Sequence, residues 1–206
     1  MARPLEDIRV LDLTWVLAGP FASMILADLG AEVVKVERPP NGDISRTTGP
    51  YQNGWSGYFF SINRGKKSIS IDLRSADGKD LFLRLVEKAD VVIENFTPGT
   101  MARLGLDYET LAARNPRVIL ASVSGFGQTG PYSDRPALDI VVQAMGGMMS
   151  ITGEAGGGPV RPGASYGDLT AGLFATIGVL TALHERERSG KGQAIDISML
   201  DCQVAV

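Results

Sequence analysis

Hydrophobic and polar positions alternate between two periods over the first two-thirds of the chain. Residues 8–15 form a short apolar run with Asp12 inside it, the pattern of a buried strand. Pro20 then suits the first turn of a helix over residues 21–29, and Gly30 stops it. Residues 33–37 predict a second strand, closed by Pro39-Pro40. A strand, a helix and a strand within about thirty residues imply a right-handed crossover and a parallel sheet. Residues 41–67, rich in Gly, Asn, Ser and aromatics, predict a loop.

Residues 68–73 alternate as a strand should, and 75–89 form an amphipathic helix with Leu81, Phe82, Leu85 and Val86 on one face. Strands follow at 90–95 and 117–123, with helical turns between them at 100–104 and 108–114. The last strand runs into the glycine-rich stretch 124–130. Beyond it the pattern predicts an apolar helix at 138–149 and a flexible loop at 153–167. A long helix at 169–188, a strand at 193–199 and the start of a helix at 200–206 complete the chain. The expected fold is α/β, an open, mostly parallel Rossmann-like sheet with flanking helices. The apolar end, Val204-Ala205-Val206, predicts that this is the first part of a longer polypeptide.

Composition narrows the function classes. The 206 residues are 44% hydrophobic and 21% charged, enough for a sizeable core. A formal net charge of −3 gives no global attraction to nucleic acid or to an anionic membrane. The single cysteine, Cys202, rules out an internal disulfide framework and points to a reducing, cytoplasmic setting. The first seven residues lack a signal-peptide apolar core. The apolar run 169–183 holds three threonines and two glycines and falls short of a membrane span, so a buried core helix is expected.

Ligands of an open parallel sheet bind at the carboxyl ends of its strands. The first strand is followed by Val16-Leu17-Ala18-Gly19-Pro20, a small-residue turn into a helix N-terminus. Arg38 follows the second strand and Arg74 the third; Asn95-Phe96 closes the fourth, with Arg103 a short segment beyond. Three arginines and a helix N-terminus on one edge suit a ligand with several phosphates, although arginine also ends strands as a plain surface charge. A dinucleotide is disfavoured because Gly-x-Gly-x-x-Gly is missing, which leaves Glu37 a weak ribose acid; no P-loop follows any strand.

Asp168 stands on a glycine-flanked stretch just ahead of the long apolar helix. It has two readings: a helix cap, or a nucleophile or base held ionised by the helix N-terminus. With one histidine and one cysteine, a Ser-His-Asp triad, a Cys-His pair and a zinc cluster are unavailable within this chain. His184 lies at a charged helix end and is expected on the surface. The basic stretch 63–67 is expected to be a solvated turn, or to flank a phosphate.

Several ordered stretches carry a family resemblance. They are 11–14 with 18–20, 27–37, 63–68, 92–99, 120–127, Gly167-Asp168 and 190–193. Together the chain resembles the family III coenzyme A transferases, which include formyl-CoA transferase and carnitine-pathway CoA transferases. The resemblance implies that residues 1–206 are the CoA-binding, Rossmann-like large domain, without the small domain and the C-terminal return segment. It implies Asp168 as the catalytic nucleophile, attacking an acyl-CoA thioester to give a mixed anhydride and then an aspartyl-CoA thioester. It implies a CoA site lined by Val16, Leu17, Arg38, Ile71, Asp72, Leu73, Arg74, Asn95, Phe96, Thr97 and Arg103. Four of these, Arg38, Arg74, Asn95 and Arg103, are the residues the strand-end argument selects.

The resemblance further implies that coenzyme A enters as substrate, that no cofactor or metal is permanently bound, and that the partners are an acyl-CoA and a carboxylic acid, in an interlocked homodimer. Two departures bear on specificity. Leu17 replaces a glutamine of formyl-CoA transferase-like members, and Pro136 replaces a CoA-contacting lysine. The same fold hosts 2-methylacyl-CoA racemases, but Leu138 stands where their histidine falls, which disfavours that route. The other alternative is a truncated CoA-binding chain without activity on its own, in which Asp168 only caps a helix.

Overall fold

The computed structural model describes residues 3–206. Six strands form one all-parallel sheet: β1 (Arg9–Asp12), β2 (Glu32–Glu37), β5 (Lys67–Ser70), β6 (Val91–Glu94), β7 (Ile119–Ser124) and β8 (Ala194–Ser198). Their order is β5-β2-β1-β6-β7-β8, and each neighbouring pair runs parallel. The expected α/β architecture is therefore present. The order reverses between β1 and β6, so their carboxyl ends form the crevice where this class of sheet binds ligands.

Strand side chains alternate between faces, and both faces are covered. On one face Val10, Val33, Ile93, Ile119 and Ala121 pack under α1 (Ala18–Asp28) and α7 (Tyr166–Ser189), joined by Val142, Met199 and Cys202. Val142 comes from α6 (Asp139–Met145), and the other two from α8 (Met199–Val204). On the other face Leu11, Val36, Val92 and Leu120 meet Phe82 and Val86 of α3 (Ala76–Val86). Met101 of α4 (Thr100–Leu104) and Leu111 of α5 (Tyr108–Arg114) complete that layer.

Four expectations are corrected. Residues 41–67 hold a 3-10 turn (Ile44–Thr47), a hairpin of β3 (Tyr51–Gln52) and β4 (Trp55–Ser56), and a helix α2 (Gly57–Asn63). Glycine and adjacent aromatics are weak helix formers, so local propensity hides α2. It is made by the Ser56 hydroxyl accepting from Phe59 N–H at 3.0 Å and by burial of Phe59 and Ile62.

The expected strand at 68–73 stops at Ser70; Ile71 N–H still donates to the Glu37 carbonyl at 2.9 Å, and the chain turns at Leu73-Arg74. The helix expected at 138–149 breaks at Gly146-Gly147, where Gly147 takes φ 86°, and resumes as a 3-10 turn over Met148–Ile151. The long helix begins at Tyr166, so Asp168 lies inside its first turn and not ahead of it.

At 24 residues α7 is long and apolar enough to cross a membrane by length and composition, which the shorter run 169–183 does not suggest. Half of its most apolar window is buried inside the fold, against α1, β7 and α8, which is the position of a core helix.

Candidate functional site

A cavity of about 680 Å³ opens at the carboxyl ends of β1, β2 and β5, within the usual size of small-molecule pockets. Its apolar wall includes Leu13, Val36, Ile71, Leu73 and Phe96; Arg38, Asp72 and Arg74 are polar groups on it. Trp15 stands edge-on to Phe96, ring centroids 6.3 Å apart, closing one side. Six of the residues implied for the CoA site, Arg38, Ile71, Asp72, Leu73, Arg74 and Phe96, thus share one wall.

The other five do not line it. Arg103 stands beyond the wall and donates from Nη2 to Thr100 Oγ1 at 2.7 Å; Thr100 does line the cavity. Thr97 borders a second cavity of about 330 Å³, between β6, β7 and β8. Asn95 is a brace: its Oδ1 accepts from Trp15 N–H and its Nδ2 donates to the Trp15 carbonyl, both at 2.9 Å. Val16 and Leu17 continue the loop from Trp15 to the first residue of α1, Ala18.

That loop runs from the cavity to Ala18, whose N–H lies near enough to the Asp168 carboxylate to favour its charged form. The two helices meet closely there: a Cβ at Gly172, one turn below Asp168, would lie 2.8 Å from the Ala18 carbonyl oxygen. Asp168 does not cap α7. Asp139 does so from α6, its Oδ1 accepting from Gly167 N–H at 2.9 Å. The same carboxylate accepts from Gln143 Nε2 at 2.6 Å and Arg161 Nη2 at 3.1 Å. Gly167 is needed because a Cβ there would lie 2.4 Å from Val142 Cγ2.

Burial first, and the Asp139 carboxylate second, push the Asp168 carboxyl up to about 7, against the pull of Ala18 N–H and Arg161. The expectation that the helix N-terminus holds it ionised is thus outweighed by desolvation. Tyr58 of α2 lies close by; burial, then the charges of Asp168 and Asp43, raise its phenol.

Glu37, the weak ribose candidate, is already engaged. Arg46 grips it from Nε at 2.8 Å and Nη2 at 2.6 Å, and Asp43 N–H donates at 2.9 Å. Burial alone would raise its carboxyl, but Arg46, Ser68 and the Asp43 N–H together hold it at about 2.

The sequence missed Asp139, Tyr58 and the buried lysines 35 and 66. Nothing in the spacing of residues 58, 139 and 168 signals their meeting, since three separate helices bring them together. His184 is exposed, as its charged surroundings predict. Leu138 precedes α6 and is 71% exposed.

The family model described as CoA-transferase family III matches residues 5–206. The chain belongs to this family. It is 52% identical over 203 residues to the acetyl-CoA:oxalate CoA-transferase of Acetobacter aceti, covering 98% of this chain and 52% of that protein. The succinyl-CoA:glutarate CoA-transferase of Mus musculus is 48% identical over 204 residues, covering 98% and 47%. A crystal structure of a CAIB/BAIF family protein from Brucella suis superposes with a TM-score of 0.95 at 45% identity, covering all of this chain and 56% of that one. The chain thus spans about half the length of the curated relatives it matches.

Proposed function

We propose that this chain is the CoA-binding large domain, over residues 1–206, of an enzyme that moves coenzyme A between an acyl-CoA and a carboxylic acid. The observation that carries the reading is the single loop, Trp15 to Ala18, that runs from the cavity wall to the Asp168 carboxylate. The nucleotide of CoA occupies the cavity, its adenine against Ile71, Leu73 and Phe96 and its phosphates near Arg38 and Arg74. Asn95 and Val16-Leu17 hold and shape the loop, Arg103 braces Thr100 of the cavity wall, and Thr97 borders the neighbouring cavity.

The chemistry needs only a carboxylate and donors for developing oxyanions. The Asp168 carboxylate adds to the thioester carbonyl, and the C–S bond breaks to release CoA thiolate and leave a mixed anhydride. The thiolate then attacks the aspartyl carbonyl, expelling the first acid and forming an aspartyl-CoA thioester. The acceptor carboxylate attacks that thioester to form a second anhydride and free thiolate. The thiolate closes the cycle on the acceptor's acyl carbon and restores Asp168.

The Acetobacter and mouse relatives are named for oxalate and glutarate, which supports a short dicarboxylic acid as one partner. The assembly is an interlocked homodimer in the cytoplasm, and CoA serves as substrate with no resident cofactor. A racemase reading is disfavoured by Leu138, an exposed side chain with no titratable group. Incubation with an acyl-CoA and a labelled carboxylic acid tests the proposal: labelled acyl-CoA should appear only with both present. Scrambling of a 2-methylacyl-CoA without any acceptor would contradict it.

A further inference from the structure

The basic stretch at 63–67 is the expected exposed turn at Arg64, Gly65 and Lys67, but Lys66 departs from it. The Lys66 side chain is 2% exposed, and its ammonium meets Asp12 Oδ2 at 3.0 Å, Asn63 Oδ1 at 2.8 Å and the Pro20 carbonyl at 3.0 Å. Beside it Lys35 Nζ lies 2.9 Å from Asp43 Oδ2, both side chains 1% exposed. Two buried ammonium–carboxylate pairs are an expensive way to fill a core, and apolar replacements of such pairs are often no less stable.

Asp12 also accepts from Ser23 Oγ at 2.7 Å and Asp43 from Ser45 N–H at 2.9 Å, and three further bonds of the two pairs reach one loop. Thr14 N–H donates to Asp12 Oδ1 at 2.8 Å, and Lys35 Nζ donates to the Thr14 carbonyl at 2.6 Å. Val16 N–H donates to Asp43 Oδ1 at 3.3 Å. The loop needs this restraint because Val16 takes φ 66°, a region that β-branched residues avoid. Such strain persists only where surrounding contacts over-determine it, and it gathers at functional sites.

We propose that Lys66 is a positioning residue for the acyl-transfer site: it ties Asp12 to the Pro20 carbonyl and so holds the strained Val16 turn that sets Ala18, and with it the start of α1, against the Asp168 end of α7. This rests on Asp168 being the nucleophile. Lys66 is absent from the cavity wall and acts on the site only through the loop. A carboxylate displaced by a fraction of an ångström loses its attack geometry while the distant nucleotide contacts survive.

The test compares wild type, Lys66→Met and Lys66→Arg. Acyl-CoA labelling of Asp168 is followed by hydroxylamine trapping and mass spectrometry, CoA affinity by calorimetry, and the loop by hydrogen exchange over residues 13–18. Lys66→Met should label at least about tenfold more slowly, with CoA affinity within about threefold and faster exchange in the loop. Lys66→Arg keeps the charge that balances Asp12, so it folds even if the methionine variant does not. Its fork cannot bring one ammonium to three convergent acceptors, and it should label at an intermediate rate.

Labelling at the wild-type rate in either folded variant overturns the inference. If wild type itself acquires no label, the nucleophile reading fails instead. Loop exchange then still decides the clamp: unchanged exchange over 13–18 in the variants overturns it.

Discussion

A carboxylate attacks only as its anion, and Asp168 sits where burial and Asp139 both oppose ionisation, with its carboxyl near 7. Two outcomes follow at the residue scale. The apparent kcat/KM should rise with pH through an inflection near 7, and Asp139→Asn should move that inflection to lower pH by removing the like charge. The second outcome concerns stability. Between its ordinary value of 3.8 and about 7, the folded state holds this proton more tightly than the unfolded chain does. Stability therefore falls as pH rises through that window, and the cost is complete above it. Asp168→Asn should melt higher than wild type at pH 8 and equally at pH 3, as thermal scans would measure. Asp168 itself was legible in the sequence from its glycine neighbour and the apolar helix behind it. Of its two readings the cap falls away, because the capping carboxylate belongs to Asp139, on another helix and 28 positions before the Gly167 N–H that it accepts from.

At the scale of elements, the site depends on how closely α1 and α7 approach. The contact is set by Gly172, where a new Cβ would lie 2.8 Å from both the Ala18 carbonyl oxygen and Phe21 Cδ1. Alanine raises helix propensity by about 1 kcal/mol over glycine. Here that gain is outweighed, because a backbone oxygen cannot swing aside as a side chain can. Gly172→Ala should lower stability by about 1–3 kcal/mol in chemical denaturation, the usual cost of overpacking. It should also slow Asp168 labelling, since the helices must part at Ala18. Helix α3 was legible from its amphipathic period, and the central strands and α7 from continuous apolar runs of strand or helix length. Helix α2 was not, since its seven residues hold a glycine and three consecutive aromatics and depend on the Ser56 cap and on burial under neighbours. The buried lysines were hidden for a related reason: Lys66 in a polar run looks solvated until Asp12 and Pro20 are seen to enclose it.

For the whole molecule, the sheet order brings the ends of β5, β2, β1 and β6 together and so gathers Arg38, Arg74 and Phe96 from distant parts of the chain. Their positions just past the carboxyl ends of strands made these three legible in the sequence. Position alone could not separate Asn95, which braces the Trp15 backbone, from the residues that face the cavity. Arg38→Ala and Arg74→Ala should each weaken CoA binding by about 1–2 kcal/mol, with a smaller loss at high salt, as titration calorimetry would report. Dephospho-CoA should lessen the effect of whichever arginine meets the ribose phosphate.

If Asp168 is the nucleophile, it must form a covalent bond to the acyl group or to CoA during turnover. Incubation with acyl-CoA, trapping with hydroxylamine or borohydride, and peptide mass spectrometry test this directly. The expected result is a modification confined to Asp168, dependent on acyl-CoA and lost in Asp168→Asn. A preparation that binds CoA yet carries no modification at Asp168 would contradict it.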